Sequence, residues 1–212
     1  MNASGIIAGL RTALGQPLPG HDRFLELSGY KRPDLEAALR EDPAPRESAV
    51  LVLLYPEQEA LHTLLMVRQQ YDGVHRGQVS FPGGRRETQD VDLHATALRE
   101  FSEETGVDTA GIEVIGVLSR VYIPPSRSLV TPFVAYARTL GPVRPDPREV
   151  KALLRIPLSD LLRENVVQHR EHYIQLLGRK ATIPYFDLAG QVVWGATAMM
   201  LAELRELVVR HG

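Results

Sequence analysis

Glu100, Glu103 and Glu104 stand close together with Arg99 directly before them. On a helix, at about 100° per residue, the three carboxylates share one face within roughly one turn. Such like charges repel, and two of them sit near a helix C-terminus, where the dipole opposes negative charge. A hard divalent cation such as Mg²⁺ takes oxygen ligands and relieves that repulsion. The same ion can clamp phosphate oxygens and activate a water for in-line attack. Arg99 lies four residues before Glu103, close enough on a helix to pair with it and orient its carboxylate. A solvated acidic face would carry the same residues, so the surroundings must decide between the two readings.

The elements that position this group can be read outward from it. Leu98, Phe101 and Thr105, with Ala97 beside them, form a different face that can bury against a sheet. A helix is expected over Asp90–Thr105, with Gly106 as its C-terminal cap. Upstream, Ser48–Tyr55 and Leu61–Arg68 are nearly continuous apolar runs, as strands buried on both faces require, with a turn at Pro56–Ala60. Gly77–Phe81 reads as a third strand, closed by Pro82-Gly83-Gly84. Downstream, Ile112–Val121 and Ser128–Ala137 read as strands, joined by a loop that Pro124-Pro125 stiffens. Pro147–Leu154 and Leu158–Arg163 read as short helices, Val166–Trp194 as strand-like, and Ala196–Arg210 as an amphipathic helix. Ala3–Asp42 reads as helical and polar, broken at Pro17, Pro19 and Pro33, with a short helix at Asp34–Arg40. Asp42–Arg46 is a connector. The order implies an α/β or α+β fold without the regular alternation of a doubly wound sheet.

The chain has 212 residues and a net charge of −2. That length suits one domain with a full core, spanning residues 1–212, with residues 1–45 as a helical or irregular extension packed on it. No basic surplus points to nucleic acid as a partner. The absence of cysteine excludes disulfides, thiolate metal sites and cysteine nucleophiles. Met1–Arg11 is a poor signal peptide and no apolar run approaches a membrane span, so a cytoplasmic protein is expected.

Arg99-Glu100-Phe101-x-Glu103-Glu104-x-Gly106-Val107 resembles the second half of the Nudix hydrolase signature, R-E-U-x-E-E-x-G-U with U apolar, at every specified position. Gly83-Gly84 lies upstream at about the family's spacing. In one departure, Asp90 stands where the signature has glutamate, and the segment to Arg99 is one residue longer. The resemblance implies an α/β/α sandwich with a mixed sheet and hydrolysis of a phosphate–phosphate bond with Mg²⁺ or Mn²⁺. It also implies Glu100 and Glu104 as metal ligands, Glu103 as a ligand through water or a base, and the Gly83 carbonyl as a further ligand.

Leu64-Leu65-x-x-Arg68 and His75-x-Gly77-Gln78-Val79-Ser80-Phe81-Pro82-Gly83-Gly84 resemble the coenzyme A pyrophosphatase branch of that family. So do Glu149-Val150 ahead of Ile156-Pro157-Leu158, and Val193-Trp194-Gly195-Ala196-Thr197-Ala198. Met66, Gln69 and Gly73 depart from the branch pattern, and Arg76 is near enough to replace the missing arginine at Gly73. The branch implies cleavage of coenzyme A or an acyl thioester into 4′-phosphopantetheine and adenosine 3′,5′-bisphosphate. Arg68, His75, Arg76 and Gly84 are then substrate-binding candidates. Glu149 is the candidate base, though it reads equally well as an acid at a helix N-terminus after Asp146-Pro147. Trp194 and Tyr185 read as core more readily than as base-stacking platforms. Another nucleotide substrate such as ADP-ribose, or a non-catalytic nucleotide-binding module, remains open, as does a homodimer.

Overall fold

A computed structural model describes residues 3–31, 33–69, 77–174 and 177–211. The run read as Ser48–Tyr55 forms the central strand β1 (Arg46–Glu57), hairpinned to β2 (Ala60–Arg68) through Gln58 and Glu59. Alternate residues of β1 serve opposite faces. Leu51, Leu53 and Tyr55 join one apolar cluster, and Val52 and Leu54 join the other, which is why the strand reads as continuously apolar.

After β3 (Val79–Ser80) and β4 (Gly83–Arg85) comes helix α4 (Leu93–Thr105), whose Ala97 and Phe101 fill the cluster under Leu51 and Leu53. Beyond it lie β5 (Ile112–Val117), β6 (Val121–Ile123) and β7 (Ser128–Ala137). Strand β7 lies parallel to β1, whereas β2 and β4 pair with β1 antiparallel, so the sheet is mixed. The first helix, α1 (Ala3–Leu14), and the last, α6 (Gly195–His211), cover the opposite face through Ile6, Ile7 and Leu10 and through Leu201, Leu204 and Leu207. The result is the α/β/α layering expected.

Three expectations change. Pro147–Leu154 does not form a helix. Val150–Pro157 is a strand, β8, paired antiparallel with β2 from His62 to Arg68. The Lys151–Arg155 run has good helix formers, but seven ladder pairs along the free edge of β2 outweigh that local preference. The strand expected over Ile112–Val121 is interrupted, because Leu118–Arg120 turns away between β5 and β6. The N-terminal segment is helical but not polar throughout, since α1 buries one face in the core. Short helices α2 (Asp22–Leu25), α3 (Leu35–Glu41) and α5 (Leu158–Leu161) and a second sheet, β9 (Val167–Ile174), β10 (Arg179–Leu188) and β11 (Gln191–Val193), complete the described chain.

Candidate active site

Helix α4 is tightly delimited. The Asp92 carboxylate accepts from the Ala95 amide at 2.8 Å, and Gly106 ends the helix in the left-handed region at φ 70°. A Cβ on Gly106 would come within 2.4 Å of the Arg144 carbonyl, so this stop also requires the close approach of the next segment. That segment returns to the helix end. The Arg144 amide donates to the Thr105 carbonyl and the Asp146 amide to the Glu104 carbonyl, satisfying two otherwise orphaned acceptors.

The three glutamates do not share one environment. Glu104 is 2% exposed, Glu100 15% and Glu103 60%. The Gly83 amide donates to Glu104 Oε2 at 2.7 Å, and Arg68 Nη2 donates to Oε1 at 3.2 Å. Burial nevertheless pushes the Glu104 carboxyl up to about 8; Arg68 and the Gly83 amide pull it down, and Glu100 and Glu149 push it further up. Burial raises Glu100 as well, against the pull of Arg99.

Arg99 is the hub of the group. Its Nε and Nη2 hold both oxygens of Asp90 at 2.9 Å, and Nη2 also donates to the Arg85 carbonyl at 3.0 Å. Its Nη1 reaches Glu100 at 3.0 Å and Glu103 at 2.9 Å, so the Arg99–Glu103 pair expected from spacing is present. Asp90 is buried and also accepts from Thr96 Oγ1 and the Glu87 amide. These contacts, Arg99 first, hold its carboxyl well below the usual range. Asp90 is therefore an anchor for Arg99, a role the sequence reading missed. The two stand nine positions apart and no helical spacing links them, so no local pattern signals the pair.

Gly84 has a specific reason to lack a side chain, since a Cβ there would fall 2.5 Å from the Glu100 carboxylate carbon. Gly83, at φ 152°, lies so close to β1 that a Cβ would meet the Ala49 carbonyl at 2.3 Å. Gly84→Ala is expected to displace the Glu100 carboxylate and lower kcat about 10- to 100-fold, with the thermal midpoint within a few degrees of wild type. Steady-state kinetics beside a melting curve test this. Unchanged kcat would show that the reaction does not depend on the position of that carboxylate.

Arg68, whose Nη1 also reaches Ser80 Oγ at 3.4 Å, lies beside Glu104. Glu149 sits exposed in the turn before β8, and its charge is felt at both Glu100 and Glu104. No helix begins there, so the helix-terminus reading of Glu149 falls. His75 and Arg76 lie outside the described residues. Among the described residues no three His, Asp or Glu side chains converge as a finished ligand cluster. Glu100 and Glu104, two mutually repelling carboxylates drawn out of water, have the chemistry that a hard divalent cation relieves, and they fit one.

A cavity of about 1010 Å³ opens beside Gly83, Gly84 and Arg68. Leu25, Tyr30 and Leu35 from the N-terminal segment, the Pro124-Pro125 turn, and Trp194 line its apolar wall. Its volume suits a nucleotide-sized ligand.

The family model of the NUDIX domain matches residues 45–177. The chain is also 36% identical to the mitochondrial coenzyme A diphosphatase NUDT8 of Homo sapiens over 167 residues, 77% of this chain and 69% of that one. The chain belongs to the Nudix family. Nudix hydrolase 22, chloroplastic, of Arabidopsis thaliana is 30% identical over 174 residues, 79% of this chain, and the chain spans 57% of that relative's length. A crystal structure of the Nudix hydrolase RenU from M. smegmatis superposes with a TM-score of 0.52 at 19% identity, covering 79% of this chain and 88% of that one, which supports the Nudix fold. Hydrolases of the Nudix family act on pyrophosphate bonds and generally need divalent metal ions. No described helix is long and apolar enough to cross a membrane. Both relatives carry organelle names, so the cytoplasmic expectation gains nothing from them.

Proposed function

We propose that this chain is a Mg²⁺- or Mn²⁺-dependent pyrophosphohydrolase that cleaves coenzyme A or an acyl thioester of it. The observation that carries the reading is the pair of buried Glu104 and half-buried Glu100 beside Gly83-Gly84, at the edge of a cavity of about 1010 Å³. The coenzyme A preference rests on the residues around Arg68–Gly84 and on similarity to a relative named as a coenzyme A diphosphatase.

Glu100 and Glu104 would hold the divalent cation, with the Gly83 carbonyl and Glu103 as further ligands. Bound there, the cation would supply charge neutralisation at the diphosphate and ease deprotonation of the attacking water. Arg99, locked by Asp90, fixes the orientation of Glu100 and Glu103. Arg68 leaves Glu104 for a substrate phosphate, and Gly84 lets substrate approach the backbone. Glu149, exposed and near enough for its charge to act on both carboxylates, takes the proton from the attacking water. One P–O bond of the diphosphate breaks and one forms to the water oxygen, giving 4′-phosphopantetheine and adenosine 3′,5′-bisphosphate. Residues 1–45 belong to the same domain in this reading, because Leu25, Tyr30 and Leu35 wall the cavity.

Incubation with coenzyme A and Mg²⁺ or Mn²⁺, with products separated by chromatography, is expected to release adenosine 3′,5′-bisphosphate. ADP-ribose and nucleoside triphosphates serve as the comparison panel. Cleavage of a panel member alone keeps the pyrophosphohydrolase and removes the coenzyme A assignment. No metal-dependent cleavage of any of them would leave a nucleotide-binding module.

A further inference from the structure

Glu203 on α6 is a buried carboxylate that the reaction above does not use. It accepts from the Ser119 amide at 2.8 Å, from Ser119 Oγ at 2.7 Å and from the Gly20 amide at 3.0 Å. His21 Nε2 lies 3.5 Å from its Oε2, the oxygen that takes the Ser119 amide. Burying a carboxylate is costly unless its lone pairs are satisfied, and here amide and hydroxyl donors satisfy them. Gly20, His21 and Ser119 all line the cavity, so one buried charge ties two distant stretches of its wall to α6.

The residue presented by this anchored turn is Arg120, which is exposed and faces the same cavity. The other arginine that lines the cavity among the described residues, Arg68, is taken by Glu104 and Ser80. Among the described residues Arg120 has no hydrogen-bond or ion-pair partner. Asp34, also on the cavity wall, is occupied in capping the Ala37 amide. A rigidly held turn that offers an uncommitted guanidinium to a cavity for an anionic substrate is suited to a second anion, apart from the diphosphate at Arg68.

We propose that Arg120 is a specificity residue for a phosphomonoester on the substrate, separate from the scissile diphosphate, and that Glu203 is its positioning residue through Ser119. The proposal rests on the coenzyme A reading and identifies the 3′-phosphate as the group bound. It makes coenzyme A a better substrate than dephospho-coenzyme A, which lacks only that group.

Both compounds are assayed with Mg²⁺ against wild type, Arg120→Gln and Ser119→Ala. Wild type is expected to show a KM for coenzyme A about tenfold below that for dephospho-coenzyme A. Arg120→Gln should raise the coenzyme A KM about tenfold, move the dephospho-coenzyme A KM less than twofold and leave kcat for both near wild type. Ser119→Ala, which removes one of Glu203's donors and keeps the backbone one, should shift the same KM in the same direction by a smaller factor. Equal KM values for the two compounds in wild type would overturn the proposal, as would equal losses on both compounds in Arg120→Gln. Cleavage of neither compound by wild type would instead remove the coenzyme A reading itself.

Discussion

Glu104→Gln is expected to lower kcat about 10³-fold, while making the metal-free protein less sensitive to rising pH. The activity loss follows from removing the more deeply buried of the two carboxylates that fit the cation. Gln retains an oxygen for the Gly83 amide, so the loop geometry survives. The stability change has its own sign. Folding raises the Glu104 carboxyl from an ordinary value near 4.5 to about 8, chiefly by burial. The folded protein therefore holds this proton more tightly than the unfolded chain. The resulting stabilisation is complete below about 4.5 and is lost as pH rises through about 8. The loss is on the order of a few kcal/mol in the metal-free protein. Glu100, raised in the same direction, adds to it. Melting curves in chelator from pH 5 to 8.5 should show a falling midpoint for wild type and a shallower slope for Glu104→Gln. Saturating Mg²⁺ should flatten the wild-type curve by replacing the proton as counter-charge. A wild-type slope unaffected by Mg²⁺ would show that the cation does not bind at Glu104.

Arg99→Lys should destabilise the protein and slow it together, despite conserving charge. The guanidinium serves five acceptors at once: both oxygens of Asp90, the Arg85 carbonyl, Glu100 and Glu103. An ammonium is a point donor and cannot span them. Asp90 would remain buried with only Thr96 and the Glu87 amide. The expected fall in thermal midpoint is roughly 5–15 °C, and kcat drops about 10- to 100-fold as Glu100 and Glu103 lose their orientation. Asp90, held low by Arg99, contributes stability that is present above its ordinary range and lost as pH falls. Arg99→Lys should therefore begin acid unfolding at a higher pH than wild type. Recovery of wild-type kcat by lysine would reduce Arg99 to a simple counter-charge.

Two kinds of information separate clearly in this chain. Helix α4, its glycine stop and the carboxylates on it were legible because they obey a local period, and the second half of the family signature lies on the end of that helix. The apolar runs of β1 and β2 were legible for the same reason, since strands buried on both faces leave no polar alternation. Local pattern failed where pairing partners decide. Val150–Pro157 has helix-forming residues but lies along the open edge of β2, and the ladder determines its state. The different fates of Glu100, Glu103 and Glu104 were equally invisible. A helical wheel places them together, but only the packing of Gly83, Gly84 and Arg68 against α4 buries Glu104, half-buries Glu100 and leaves Glu103 in water.

The sequence by itself determined the acidic helix and, through the resemblance its signature carries, the family and the layered α/β/α architecture, because that signature consists of residues adjacent in the chain or one helical turn apart. The tertiary structure decided how those residues are used: Asp90 as the clamp on Arg99, Glu203 as the tie between α6, Gly20 and Ser119, and the N-terminal segment as a wall of the cavity. These contacts join residues separated by nine to more than a hundred positions. Only folding brings them within 3 Å or so, and at that distance desolvation sets both the strength of each hydrogen bond and the pKa of each carboxylate.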